Sequence, residues 1–315
     1  MHWNQIIPDA STPPAKDAME YYGLLGDYVG GFWGTVVGVL TLFVVLLTWR
    51  ASRRTDYRSK TYQVFAEMLR THEEIVTSMR INSFSGRDTF VLVLSEFYAI
   101  YKLTREAVPG DTIWSVSNRI DIAYTYTFFG PQLLALHVLK NYDQALIKKV
   151  HDAVHRERQE NKNPKRVFAG HQNRLSHYFR NLYSAYSFID NADLTSTEKI
   201  ALAKVLRSKL SNYEQGLLAL NVICQLGQEW ERTGILEKYK PIKNIPELFF
   251  TFDRKFSVKE QFPYIDFEYE NTGDTEVRAS RFAFRSWTLV LLRKVAKTSN
   301  TSVQGTLRDK AAQRP

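Results

Sequence analysis

Arg166 and His171 are the residues of this chain whose types and spacing come nearest to acid–base chemistry on a phosphate. A guanidinium holds phosphate oxygens in a fixed fork, and an imidazole moves a proton near neutral pH. Together they are the chemistry of RNA hydrolysis. A second start, Arg180-Asn181, lacks its histidine, because the positions it would take are Ala185, Tyr186 and Ser187. Arg166, His171 and Arg180 are thus the candidate catalytic residues. The competing reading makes such an arginine a structural partner for an acid such as Glu214 on a later helix.

Helical ribonucleases of the HEPN group use an Arg-x(4–6)-His pair, and Arg166–His171 has the shorter of those spacings. With seven histidines in an arginine-rich chain, one such match arises by chance. Gly170 also argues against a regular helix between the two. His72, His151, His155 and His177 are scattered. No Cys/His zinc spacing, His-Glu-x-x-His or phosphate-cradling glycine loop occurs, so neither a metal nor a cofactor is expected. The single cysteine, Cys224, sits among Leu220, Val222, Ile223 and Leu226 and reads as a small buried hydrophobe.

The elements that must position these side chains read as helices. In 170–190, Tyr178, Leu182, Ala185 and Ile189 form a helical stripe widened by Leu175, Phe179 and Tyr186. This stripe is core, and it leaves His171, Arg174, Arg180 and Asn181 on or beside the opposite face. Upstream, apolar helical spacing runs through 56–82. Ser83–Gly86 is a break, and further helices cover Asp88–Ala107, Trp114–Thr127 and Gly130-Pro131 to about Glu160. Thr195 with Glu198, and Ser211 with Glu214, are capping-box signatures. They open helices ending near Leu210 and Gly234. Strand signals are confined to 247–252 and 263–269. The prolines and phenylalanines after 240 suggest irregular packing. Residues 277–297 form a basic amphipathic stretch around Phe282, Trp287 and Leu291, suited to an anionic leaflet or to docking on the core.

Residues 28–49 carry no charge between Asp27 and Arg50. About twenty uncharged residues at ~1.5 Å each match a ~30 Å hydrocarbon core. A buried core helix is the alternative. A cleavable signal peptide fits poorly, because the residues before the segment are acidic. Arg50, Arg53, Arg54, Arg58 and Lys60 follow it, so the positive-inside rule puts the N-terminus outside and the rest in the cytoplasm. Gly26, Gly30, Gly34 and Gly38 recur at every fourth position. They form one groove along which two helices can approach closely, which points to a homo-oligomer.

Composition agrees with this organisation. The chain has 315 residues, a mean hydropathy of −0.31 and a net charge of +9. The basic balance suits an anionic membrane surface or nucleic acid. The expected class is all-α: one N-terminal transmembrane helix plus a cytoplasmic multi-helix bundle with a small irregular C-terminal part. The parts are an outer tail 1–27, a span 28–49, a helical region 50–240, an extension 241–297 and a disordered tail 298–315.

Several blocks, in order, resemble the bacterial AbiC-type phage abortive-infection family. They are Gly26–Gly31, Ser85–Phe90, Gly170-His171, Tyr178–Tyr183 with Phe188-Ile189, and Ser211–Glu214 with Leu217-Leu218 and Asn221. They cover about residues 23–230. Many members carry two membrane helices where this chain has one. The resemblance implies a bacterial inner-membrane antiphage protein whose cytoplasmic part responds to infection and disables the host cell. It also implies a motif-bearing polar face of His171, Arg174, Arg180, Asn181, Glu214 and Asn221. The expected partners are the lipid bilayer, further copies of the chain, and a phage-encoded trigger or neighbouring defence-system protein. Membrane disruption by oligomerisation is the leading mechanism. A membrane-tethered ribonuclease and a non-enzymatic membrane adaptor are the alternatives.

Overall fold

The computed structural model describes residues 16–271, apart from 111–112, 162 and 164–165. The basic stretch 277–297 and the tail 298–315 lie outside the described residues, as do residues 1–15 of the outer tail. The chain divides into two compact units, 1–64 and 65–315.

The first unit is described over residues 16–64, all within one helix, α1 (Lys16–Ser78), which continues into the second unit. The sequence suggested separate helices over 28–49 and 56–82. They are continuous because residues 50–55 contain no proline or glycine, and their arginines and alanine are strong helix formers. The apolar run is fully exposed, with Leu40, Phe43 and Leu47 among the uncovered side chains. Thr35, Thr41 and Thr48 donate their hydroxyls to carbonyls one turn back at 2.7–2.8 Å. No threonine hydroxyl of the run therefore needs water.

Among its described residues the second unit is mostly helical, with almost no strand. The last turns of α1 give it Phe65 and Val76, with Met79 just beyond. The break at 83–86 is a two-stranded antiparallel hairpin, β1 (Arg80–Ile81) and β2 (Phe84–Ser85), with Arg80 opposite Ser85. Asn82 takes a left-handed conformation in the turn, which asparagine tolerates. α2 (Asp88–Ala107) is central and packs on α3 (Val116–Phe129), α5 (Gln144–Glu160) and α8 (Asn212–Ile223).

The single helix expected from Gly130-Pro131 to Glu160 is two. α4 (Leu133–Val138) is short, and the Asp143 side chain accepts the Ala145 and Leu146 N–H groups to start α5 afresh. α6 (Gln172–Asn191) and α7 (Ser196–Ser208) pack together. The capping boxes at Thr195/Glu198 and Ser211/Glu214 both form. α8 stops at Ile223 rather than near Gly234. Cys224 turns extended, and Gly227 lies so close to Asn221 that an added Cβ would sit 2.2 Å from its carbonyl oxygen. Short pieces follow: α9 (Glu229–Arg232), α10 (Ile235–Tyr239), α11 (Val258–Gln261) and α12 (Glu268–Asn271).

The strand signals at 247–252 and 263–269 come to nothing. Those aromatic residues bury as irregular chain: Phe252 meets Phe97 edge-on and Tyr101 at a tilt, and Phe249 lies directly on Gly216. Residues 241–267 therefore belong to the same core as the helices before them, with Ile242, Ile245, Phe262, Ile265 and Phe267 all buried.

Candidate functional site

A buried carboxylate organises the polar interior. Ser211 and Glu214 open α8 as a capping box, in which Glu214 Oε2 accepts the Ser211 N–H at 2.8 Å and its hydroxyl at 2.6 Å. In most helices such a glutamate faces water. Here α1, α2 and α6 cover it, and it is wholly buried. Burying an ionised carboxylate requires compensation from its neighbours. Arg87, at the N-terminus of α2, brings Nε to 3.4 Å from Glu214 Oε2. Tyr178 of α6 donates its hydroxyl to Oε1 at 3.2 Å. His72 of α1 faces the same oxygen across 3.9 Å, with Asn181 beside it. Arg87 spreads its remaining donors over both oxygens of Glu73 at 3.0 Å and the Lys209 carbonyl at 3.1 Å.

The electrostatics follow from burial and pairing. Burial pushes the His72 imidazole below its ordinary value, with Glu214 and Glu73 pulling the other way. The forked hydrogen bond from Arg87 holds the Glu73 carboxyl below the usual carboxylate range. Burial, reinforced by Glu214, raises the Tyr178 phenol well above its ordinary value. The site is thus an arginine shared by the side chains of Glu73 and Glu214, with a histidine and a tyrosine packed against the inner one. His72 and Tyr178 lie with ring centroids 5.3 Å apart.

A second buried pair lies at the N-terminus of α6. His171 Nε2 is 3.2 Å from Glu96 Oε1, and both side chains are almost fully enclosed. Burial pushes the Glu96 carboxyl up, but His171 and the N–H groups of Val167 and Phe168 outweigh it and hold it below the usual range. The approach of 166–171 to α3 requires glycine. Gly130 and Gly170 both have positive φ, and a Cβ on Gly170 would fall 2.4 Å from the Phe129 carbonyl carbon. The crossing lets His171 N–H reach the Phe128 carbonyl at 2.8 Å.

The sequence-derived residues are therefore dispersed. His171 is enclosed with Glu96 rather than presented to a substrate, and the segment from Arg166 to it is not helical. Arg174 donates to the Arg80 carbonyl at 2.8 Å, and exposed Arg180 donates to the Ser176 carbonyl at 3.2 Å. Asn221 is buried beside Tyr124. Of the expected polar face, only Asn181 and Glu214 share a neighbour, His72. Glu214 does pair with an arginine, but that arginine is Arg87. Sequence reasoning missed Arg87 and His72 as its neighbours, and Glu73 as the second acid on Arg87. The signal for Arg87 was its place in the block Ser85–Phe90. Among the described residues no cluster of three or more histidines, cysteines or acids is arranged to hold a metal ion. Gly26, Gly30, Gly34 and Gly38 have open space where a Cβ would stand.

The comparison with known families falls on this same region. Residues 170–250 match a family described as "Putative phage abortive infection protein". The matched stretch begins at the Gly170 crossing and takes in Tyr178, Asn181, Ser211 and Glu214, the inner half of the buried cluster, along with Phe249 against Gly216. It ends before the short helices α11 and α12. The match supports an abortive-infection role in defence against phage. No curated protein and no solved structure matches the chain.

Proposed function

We propose that this chain is a membrane-anchored abortive-infection protein that disables the infected cell by assembling within the bilayer. The observation that carries the reading is the exposed apolar run of α1, long enough to cross a membrane and uncovered along its whole length. In water such a surface would be costly, at roughly 25 cal/mol for each Å² left exposed. In lipid it costs nothing, and its threonine hydroxyls are already satisfied by carbonyls one turn back. Arg50, Arg53, Arg54, Arg58 and Lys60 orient the span with residues 50–315 in the cytoplasm. There the region matching the abortive-infection family meets a phage product or a neighbouring defence protein. The groove of Gly26, Gly30, Gly34 and Gly38 supplies the contact between copies.

Assembly makes a specific demand on Gly34. Leucine there fills the groove without adding polarity to the span. Gly34→Leu is expected to leave the protein in the membrane fraction while lowering protection against phage and the fall in membrane potential during infection. Full protection with an unchanged potential response would remove the assembly mechanism. Fragmented RNA with an intact potential would redirect the reading to a ribonuclease.

A further inference from the structure

α1 has two unlike sides, and they remain unlike past the end of the apolar run. At the spacing of one helical side, Gly34, Gly38, Thr41, Val45, Thr48, Ser52, Asp56 and Ser59 follow one another. On the other side the order is Val36, Leu40, Phe43, Leu47, then Arg50, Arg54 and Arg58. The bulky apolar stripe thus runs directly into an arginine stripe, while the small stripe runs into serines and an aspartate. Arg53 lies between the two sides, its guanidinium 4.0 Å over the ring of Trp49. An indole at the end of a span sits at the headgroup level, so this stack fixes a cation at that depth. Between Trp49 and Thr61, Asp56 is the single acid set against Arg50, Arg53, Arg54, Arg58 and Lys60. The rise from Arg50 to Lys60 is ~15 Å. That matches a headgroup layer of roughly 5–8 Å plus about one Debye length, ~8 Å.

We infer that the arginine side of α1 binds anionic phospholipid headgroups of the leaflet it emerges from, leaving the glycine–threonine side for another copy of the chain. The inference rests on the reading of α1 as a membrane span. Its content is the division of labour between the two sides. If the arginines lay on the small side, assembly would bring like charges together. Placed opposite, each copy keeps its cations against lipid phosphate. Each arginine near such a surface is worth about a fivefold change in binding.

The test is native mass spectrometry of the full chain in micelles carrying equal amounts of phosphatidylglycerol and phosphatidylcholine. The expected result is preferential retention of phosphatidylglycerol. Arg50→Gln, Arg54→Gln and Arg58→Gln together should cut that preference by about a hundredfold, since glutamine keeps the helix and removes the charge. Lys102→Gln, Lys148→Gln and Lys149→Gln remove the same charge elsewhere and should leave it intact. Equal retention of the two lipids by the unaltered chain overturns the inference while leaving the span standing. So does an equal loss in the lysine variant. Displacement of the lipid by inorganic phosphate, or by single-stranded RNA held through the same arginines, also overturns the lipid assignment. Retention of neither lipid overturns the inference as well, and the span is tested apart from it, by recovery of the chain in the membrane fraction.

Discussion

Glu214 shows how a residue can carry a local and a long-range role at once. Its capping-box role is local, and Ser211 three residues before it made that role legible in the sequence. Its burial is not local, because it depends on Arg87, His72 and Tyr178 arriving from other helices, and no spacing rule reaches that far. Removing Glu214 takes the acceptor from the buried Tyr178 hydroxyl and from the Ser211 cap, and a buried donor left unpaired costs about 1–3 kcal/mol. Glu214→Ala should therefore lower the unfolding midpoint of the full chain in detergent far more than Glu106→Ala, whose carboxylate lies on the surface beside Lys102. The enclosed histidine gives a pH signature. His72 has a folded-state pKa below its ordinary 6.5, so below about that pH the unfolded chain binds a proton that the folded chain refuses. Stability is therefore retained above the ordinary value and falls as pH drops toward the folded one. His72→Gln should flatten the slope of unfolding midpoint against pH just below about 6.5, leaving the lower-pH loss that Glu96 adds as it protonates.

Among the elements, the most legible were those with a start signal written into them. Thr195 and Ser211 fixed α7 and α8, and Asp88–Ala107 fell where its spacing placed it. The signals that misled were propensities overruled by packing. The aromatic run 247–252 reads as strand, yet Phe249 fits flat on Gly216 and Phe252 fits between Phe97 and Tyr101, so the backbone follows the sockets. The join of 166–171 to α3 depends on two glycines approaching within contact distance, a pairing invisible until both segments are placed. Gly170 was legible only as a break. Alanine there needs both a positive φ and space already held by the Phe129 backbone. Gly170→Ala should destabilise the chain by well over ~1 kcal/mol, read as a lowered thermal midpoint. Alanine at Gly23, where a Cβ meets nothing, should not change it.

For the whole molecule, the sequence carried the class and the division between an exposed apolar helix and a helical region with its own core. The family match at 170–250 places the abortive-infection resemblance in that core. The buried pair His171–Glu96 and the Glu214 cluster are enclosed there and tie its helices together. The proposed effector step places α1 across the membrane, with its two ends on opposite sides of a bilayer. The single native cysteine, Cys224, is buried, which leaves little background for thiol labelling. Introduce cysteine at Glu20 or at Ser59, both exposed on α1, and treat intact expressing cells with a membrane-impermeant maleimide that reaches the inner membrane. The account predicts that Glu20→Cys is labelled in intact cells and Ser59→Cys only after lysis. Equal labelling of the two before lysis, or recovery of the chain in the soluble fraction, would contradict it.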